Sequence, residues 1–219
     1  MADLQFSLNR NLSMEKIKKI KIAVTGGIGS GKSLFCNFLN QLGIPVISVD
    51  EVSKELLETD KDIRGKIIKA FGSESFNGNI ANKKYLAEKV FSNPLNVITI
   101  NSIIHPKVIK KVNILADEKL RSANIVAAEA ALIYEADMEK YFDYVVLVTS
   151  DINLRIKRKV EKENYTEEQF YKRNENQIPD DEKKKRADFV FENNGSLEDL
   201  QTKAFLLTNI LKGLSIENV

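Results

Sequence analysis

The stretch Ile20-Lys21-Ile22-Ala23-Val24-Thr25-Gly26-Gly27-Ile28-Gly29-Ser30-Gly31-Lys32-Ser33 decides the fold. Its first six residues form a short apolar run ended by glycine, the pattern of a buried strand. Gly26 to Ser33 then fits G-x-x-x-x-G-K-[ST], a spacing suited to cradling phosphate. Glycines let successive backbone N–H groups turn inward and form a nest for anionic oxygens. Beyond the loop, Leu34, Phe35, Phe38, Leu39 and Leu42 recur every three or four residues. That spacing predicts a helix from Lys32 to Leu42 with one buried face, stopped by Gly43. The positive end of its dipole points at the loop. The Lys32 ammonium reaches β and γ phosphates, and the Ser33 hydroxyl suits Mg²⁺, which prefers hard oxygen ligands. The stretch therefore predicts a site for Mg²⁺–ATP, with Gly27, Ile28, Gly29, Ser30, Gly31, Lys32 and Ser33 binding ATP and Ser33 a metal ligand.

Outward from the loop, Pro45 to Val49 reads as a second strand, Ile125 to Ala128 as a third, Tyr144 to Thr149 as a fourth and Phe189 to Phe191 as a last. Between them lie helical stretches. Glu51 to Glu58 and Asp62 to Phe71 come first, then an Asn-Gly turn at Phe76 to Ile80. Asn82 caps a helix to Phe91, Asn93-Pro94 opens another, and His105-Pro106 opens a longer one to about Leu120. Residues 151–186 are strongly charged and helical, with breaks near Asn164 and Pro179. Ser196 caps a last helix to Leu211. Strands alternating with helices imply a parallel sheet with right-handed crossovers. Ligands of such sheets sit beyond the carboxyl ends of the strands. Gly26, Asp50, Glu129 and Asn193 each follow a strand, so they share that edge.

The bulk numbers narrow the function. With 33 basic and 31 acidic residues the net charge is only +2, which argues against a general nucleic-acid or membrane-surface binder. The one cysteine, Cys36, rules out an internal disulfide and reads as a small buried hydrophobe. No apolar run approaches the ~20 residues of a membrane span, and the N-terminus lacks the apolar core of a signal peptide. The expectation is a cytoplasmic protein acting on a small molecule, with no obligatory protein partner. A GTPase would carry N-K-x-D, but Asn82-Lys83-Lys84-Tyr85 lacks the aspartate. A small-molecule kinase fits better than a motor or transporter ATPase. Two rivals stay open: a kinase for another acceptor, such as a nucleoside monophosphate, and a nucleotide-dependent switch that transfers nothing.

From about Ile20 to Leu211 the chain resembles the dephospho-coenzyme A kinase family. The resemblance rests on Thr25 to Ser33, on Leu42 to Asp50, and on His105-Pro106. It also rests on Glu129 to Glu135, on Gln177-Ile178-Pro179, and on Ala187 to Gly195. Ser48 stands where the family often has a first aspartate, Lys54 where it has arginine, Glu129 where it has aspartate, and Lys162-Glu163 where it has Arg-Asp. The resemblance implies phosphorylation of the ribose 3′-hydroxyl of dephospho-CoA by ATP with Mg²⁺. It implies an α/β fold, a P-loop NTPase three-layer α/β/α parallel sheet with a helical acceptor-binding insertion and a lid. Residues 1–18 then form an extension. The kinase domain takes 19–219, with core at about 19–50, 121–150 and 187–219, the CoA-binding insertion at about 51–120, and the lid at about 151–186.

The same resemblance assigns roles. Asp50 matches the family's catalytic aspartate; alternatively it merely caps the next helix. Lys32 and Arg158 complete the catalytic set. Arg155, Arg158, Lys159 and Lys162 share one helix face, which is either a solvated stripe or the basic face of a lid. Glu129 reads as a Walker-B acid holding Mg²⁺ through water or as an ordinary strand-end carboxylate, Asn193 as an adenine contact or a stabiliser of the Asn-Asn-Gly turn, and His105, the one histidine, as a substrate contact in the insertion or a structural residue.

Overall fold

The computed structural model describes residues 16–163 and 165–217. Most of the expected N-terminal extension and the break expected at Asn164 lie outside them. In chain order the elements are β1 (Lys16–Ile17), β2 (Ile20–Thr25), α1 (Lys32–Gln41), β3 (Val46–Ser48), α2 (Val49–Thr59), α3 (Lys61–Phe71), β4 (Phe76–Asn77) and β5 (Ile80–Ala81). Then come α4 (Lys83–Phe91), α5 (Pro94–Lys119), β6 (Ile125–Glu129), β7 (Tyr144–Thr149), α6 (Ile152–Glu163), α7 (Glu167–Asn174), α8 (Asp180–Arg186), β8 (Phe189–Glu192), α9 (Leu197–Leu214) and β9 (Ile216–Glu217).

Five strands form a parallel sheet in the order β3-β6-β2-β7-β8. Both faces of β2 are covered, which is why all of its residues except Lys21 are buried rather than alternating. Ile20, Ile22 and Val24 face one way and pack with Phe35, Leu39, Leu200 and Leu207 of α1 and α9. Ala23 faces the other way and packs with Val52, Val108, Val112 and Ala116 of α2 and α5. The result is three layers, α/β/α. A separate apolar cluster of Ile63, Ile67, Phe71, Phe76, Ala81, Leu86 and Val90 holds α3, α4 and the β4–β5 hairpin together. No helix among the described residues is long and apolar enough to cross a membrane.

One expectation is corrected. His105-Pro106 does not open a helix: α5 runs unbroken from Pro94 to Lys119 with Pro106 inside it. Proline removes one helical N–H and so frees the carbonyl four residues back. Here that carbonyl belongs to Ser102, and both Ser102 and Pro106 are exposed, so water can satisfy it. Apolar contacts on either side of the proline fix the single helix. Val97, Ile100, Ile103 and Ile104 lie against the α3–α4 cluster, while Val108, Val112 and Ala116 lie on the sheet.

Candidate active site

The register of the sheet assembles the site. Val24 pairs with Glu129, and Glu129 pairs with Ser48, so the loop after β2, the end of β6 and the start of α2 share one edge. At the other side Thr149 pairs with Glu192, which brings Ser150 and Asn193 to the same edge.

The loop between β2 and α1 is shaped for an anion. Gly31 precedes α1 with φ +92°, a left-handed conformation that favours glycine. A Cβ there would also meet the Asn193 Nδ2 at 2.2 Å. No side chain caps α1 and its first turn holds no acid, so its leading N–H groups have no internal competitor for phosphate. By contrast, α2 starts with Ser48 Oγ accepting the Glu51 N–H at 3.3 Å, with Asp50 and Glu51 in its first turn.

Lys32, Ser33 and Glu129 meet at one oxygen. Glu129 Oε1 accepts from Lys32 Nζ at 2.5 Å and from Ser33 Oγ at 2.6 Å. The Lys32 and Glu129 side chains are only 11% and 15% exposed, so this is not a solvated surface pair. Asp50 is open to solvent, yet protein crowds its flanks. Burial of the carboxyl raises its pKa above 3.8, the nearby Lys32 charge opposes the rise, and Glu129 adds to it. Because Ser48 already caps α2, Asp50 is not that helix's cap, and its carboxylate is left free at the edge.

The other expected residues are dispersed around this centre. Asn193 is buried, and its Nδ2 donates to the Ser30 carbonyl at 2.8 Å, so the side-chain amide braces the loop. Its own carbonyl accepts from Arg158 at 2.8 Å, and Arg158 also donates to Ser150 Oγ at 3.1 Å. Arg158 thus rests at the ends of β7 and β8. Ile28 has its N–H taken by Gln177 and its C=O by Arg155. His105 is half-buried in mid α5. Burial lowers its pKa against the opposing charge of Asp137, which leaves the imidazole neutral at neutral pH. Cys36 is buried 2% exposed, and burial raises its thiol far above the ordinary range.

Three of the basic residues of α6 have different partners. Arg155 is 5% exposed and turned into the protein, Arg158 turns to Asn193, and Lys159 pairs with Glu163 at 2.6 Å. The inward role of Arg155 and the contribution of Gln177 had no local signal, because their partners come from separate loops. Nor did the buried pair of Lys183, wholly inaccessible, with Glu135 at 3.0 Å. This pair ties α8 to the loop after β6. Glu135 Oε1 also accepts the Ile178 N–H at 2.8 Å.

The donor set fits a nucleotide with its divalent ion. The loop offers N–H groups and an ammonium to phosphate. A serine hydroxyl and a carboxylate lie side by side, both hard oxygens, and the phosphates can complete the coordination. No cluster of three or more His, Cys, Asp or Glu able to hold a metal alone is found among the described residues.

The comparisons with known proteins agree. The family model described as dephospho-CoA kinase matches residues 20–199. A dephospho-CoA kinase of Bacteroides fragilis is 37% identical over 80% of this chain and 85% of its own. One of Chlamydia caviae is 35% identical over 90% and 98%. A crystal structure from Thermus thermophilus superimposes with TM-score 0.76 at 30% identity, covering 89% of this chain and 98% of the other. A loop built for triphosphate, an acid beside it and a matching family pattern across the sheet lead to one assignment: the chain is a kinase of the dephospho-CoA kinase family.

Proposed function

We propose that this chain transfers the γ-phosphoryl group of ATP to the ribose 3′-hydroxyl of dephospho-CoA, giving coenzyme A and ADP, the last step of coenzyme A synthesis. The observation that carries the reading is the junction of Lys32, Ser33 and Glu129 at one carboxylate oxygen, with Asp50 free beside it. A switch protein needs no such acceptor base.

In this reading the loop N–H groups and Lys32 hold the phosphates, and Lys32 exchanges Glu129 for phosphate oxygen when ATP arrives. Ser33 and, through water, Glu129 would hold Mg²⁺, which when bound neutralises charge on the β and γ oxygens. Asp50 orients the acceptor hydroxyl and takes its proton. Arg158 is the lid arginine; it would leave Ser150 and Asn193 to reach the transferring group, where its planar fork suits phosphoryl oxygens. Asn193 braces the loop beside the adenine. His105, neutral and half-buried in α5, serves the dephospho-CoA side. The lone, free and buried Cys36 is compatible with a cytoplasmic enzyme. The catalysis is mainly positioning and electrostatics.

The test is ADP release from Mg²⁺–ATP across a panel of acceptors. Dephospho-CoA should be the fastest. Faster turnover of adenosine monophosphate or shikimate would refute the reading.

A further inference from the structure

The tip of the phosphate loop is gripped from two sides by residues outside it. The Ile28 N–H donates to Gln177 Oε1 at 2.9 Å, and the Ile28 carbonyl accepts from Arg155 Nε at 2.8 Å. These two side chains come from opposite ends of the charged segment, Arg155 from the first turn of α6 and Gln177 from just before α8. Arg155 is itself fixed on every remaining side. Its guanidinium donates to Asn174 Oδ1 at 2.7 Å and to Asp180 Oδ2 at 3.2 Å, and it stands 5.6 Å from the centre of the Phe170 ring. Asp180 Oδ2 is held in turn by Thr149 Oγ1 at 2.7 Å, at the end of β7. The fit against the loop is close: a Cβ on Gly27 would meet Arg155 Nη2 at 2.3 Å.

A glycine-rich loop has unusually many conformations to lose when it binds. A ligand must supply that ordering unless the protein has already done so. Ile28 has side-chain partners at both its N–H and its C=O, and both partners come from outside the loop. We propose that Arg155 and Gln177 are positioning residues that clasp the Ile28 backbone and hold the loop in its phosphate-receiving shape before ATP arrives. The ATP affinity of the loop then depends on the clasp as well as on the loop's own sequence. The inference rests on the reading that the loop holds ATP. It is independent of which acceptor the enzyme uses.

The geometry selects the test variants. Arg155→Lys keeps the charge, but one ammonium cannot hold Ile28, Asn174 and Asp180 in the fork geometry. Gln177→Leu removes the acceptor from the Ile28 N–H at a half-buried position that tolerates leucine, so it carries the test even if Arg155→Lys fails to fold. Calorimetric titration of the full chain with ATP alone, and separately with dephospho-CoA alone, reads each affinity without turnover. Each single variant should weaken ATP binding about 10-fold and leave dephospho-CoA binding within about 2-fold, the selective loss expected of a preorganising contact. The double variant should lose well under the roughly 100-fold product, because both grips act on one residue. Unchanged ATP affinity in a folded Gln177→Leu, or equal weakening of both ligands, would overturn the clasp. A selective loss of ATP affinity in a chain that does not phosphorylate dephospho-CoA would keep the clasp and remove the acceptor assignment.

Discussion

The Lys32 ammonium and the Glu129 carboxylate, 97 residues apart in sequence, meet at 2.5 Å where β6 ends beside the phosphate loop. Before nucleotide arrives, the ion pair holds the lysine at the end of β6, beside the phosphate loop. The phosphates can then displace it over a short distance. The pair makes the positive charge available without leaving it unpaired in a partly closed cleft, where an isolated charge is costly.

Lys32→Ala should lower turnover by about 100-fold or more, the scale for losing one charge-stabilising group. It should also cost about 1–3 kcal/mol of stability, because Glu129 keeps Ser33 alone as donor. Adding Glu129→Gln should restore much of that stability and none of the turnover. ADP release paired with urea unfolding checks both. Near-normal turnover in Lys32→Ala would remove the phosphate loop from the mechanism.

The charged segment should respond unevenly to nucleotide. Its base is already tied down through Arg155, Gln177, Asp180 and Lys183. Helix α7 is held through Asn174 and the buried Phe170, both against Arg155, whereas α8 is anchored by the wholly buried Lys183. A non-hydrolysable ATP analogue should therefore slow amide exchange most in α7 and least in α8. Exchange unchanged throughout both helices would mean that no lid closes.

The core of the fold was legible because its signals are local. β2 is a mostly apolar run interrupted by Lys21, α1 repeats its apolar residues every three or four positions, and Asn82, Asn93 and Ser196 cap helices as expected. Asn93-Pro94 and His105-Pro106 look alike in sequence, yet only the first starts a helix. What decides is packing on both sides of Pro106, which no local pattern reveals. Within the site, Gly26, Asp50, Glu129 and Asn193 could be placed on one edge from strand ends alone, and Lys32 and Ser33 followed from the loop motif. The direction of Arg155 could not, since a basic face on a helix says nothing of which members turn inward. Ser48, where the family often has aspartate, is a good helix cap as serine, so the substitution keeps the start of α2 intact.

Asp50 should trade stability for function. Its folded pKa lies above its ordinary 3.8, chiefly through burial. The native state therefore binds this proton more tightly than the unfolded chain does, and stability falls as pH rises through the raised value. The cost is present once the folded carboxylate has ionised and disappears in acid. Asp50→Asn should raise Tm at pH 7 and lose that advantage below the ordinary carboxylate range. Wild-type turnover, which needs the ionised carboxylate, should fall as pH drops through the same raised value. A Tm lowered by the substitution at pH 7 would show that the charge is stabilised where it stands.

In the proposed mechanism Asp50 acts on the acceptor, and Lys32 with its loop acts on the nucleotide. The measurement that tests it pairs turnover at saturating ATP with ATP affinity in Asp50→Asn. Asparagine keeps the size and much of the hydrogen bonding but removes the charge, and Ser48 is too weak a base to substitute. Turnover should fall about 100- to 10,000-fold, the range for losing a general base. The lower end is expected, because a loose phosphoryl-transfer transition state needs little early proton removal. ATP affinity should change by less than about 3-fold, since the phosphates are held by other groups. A collapse of ATP affinity with normal turnover at saturation would make Asp50 a nucleotide or metal ligand and not the acceptor base.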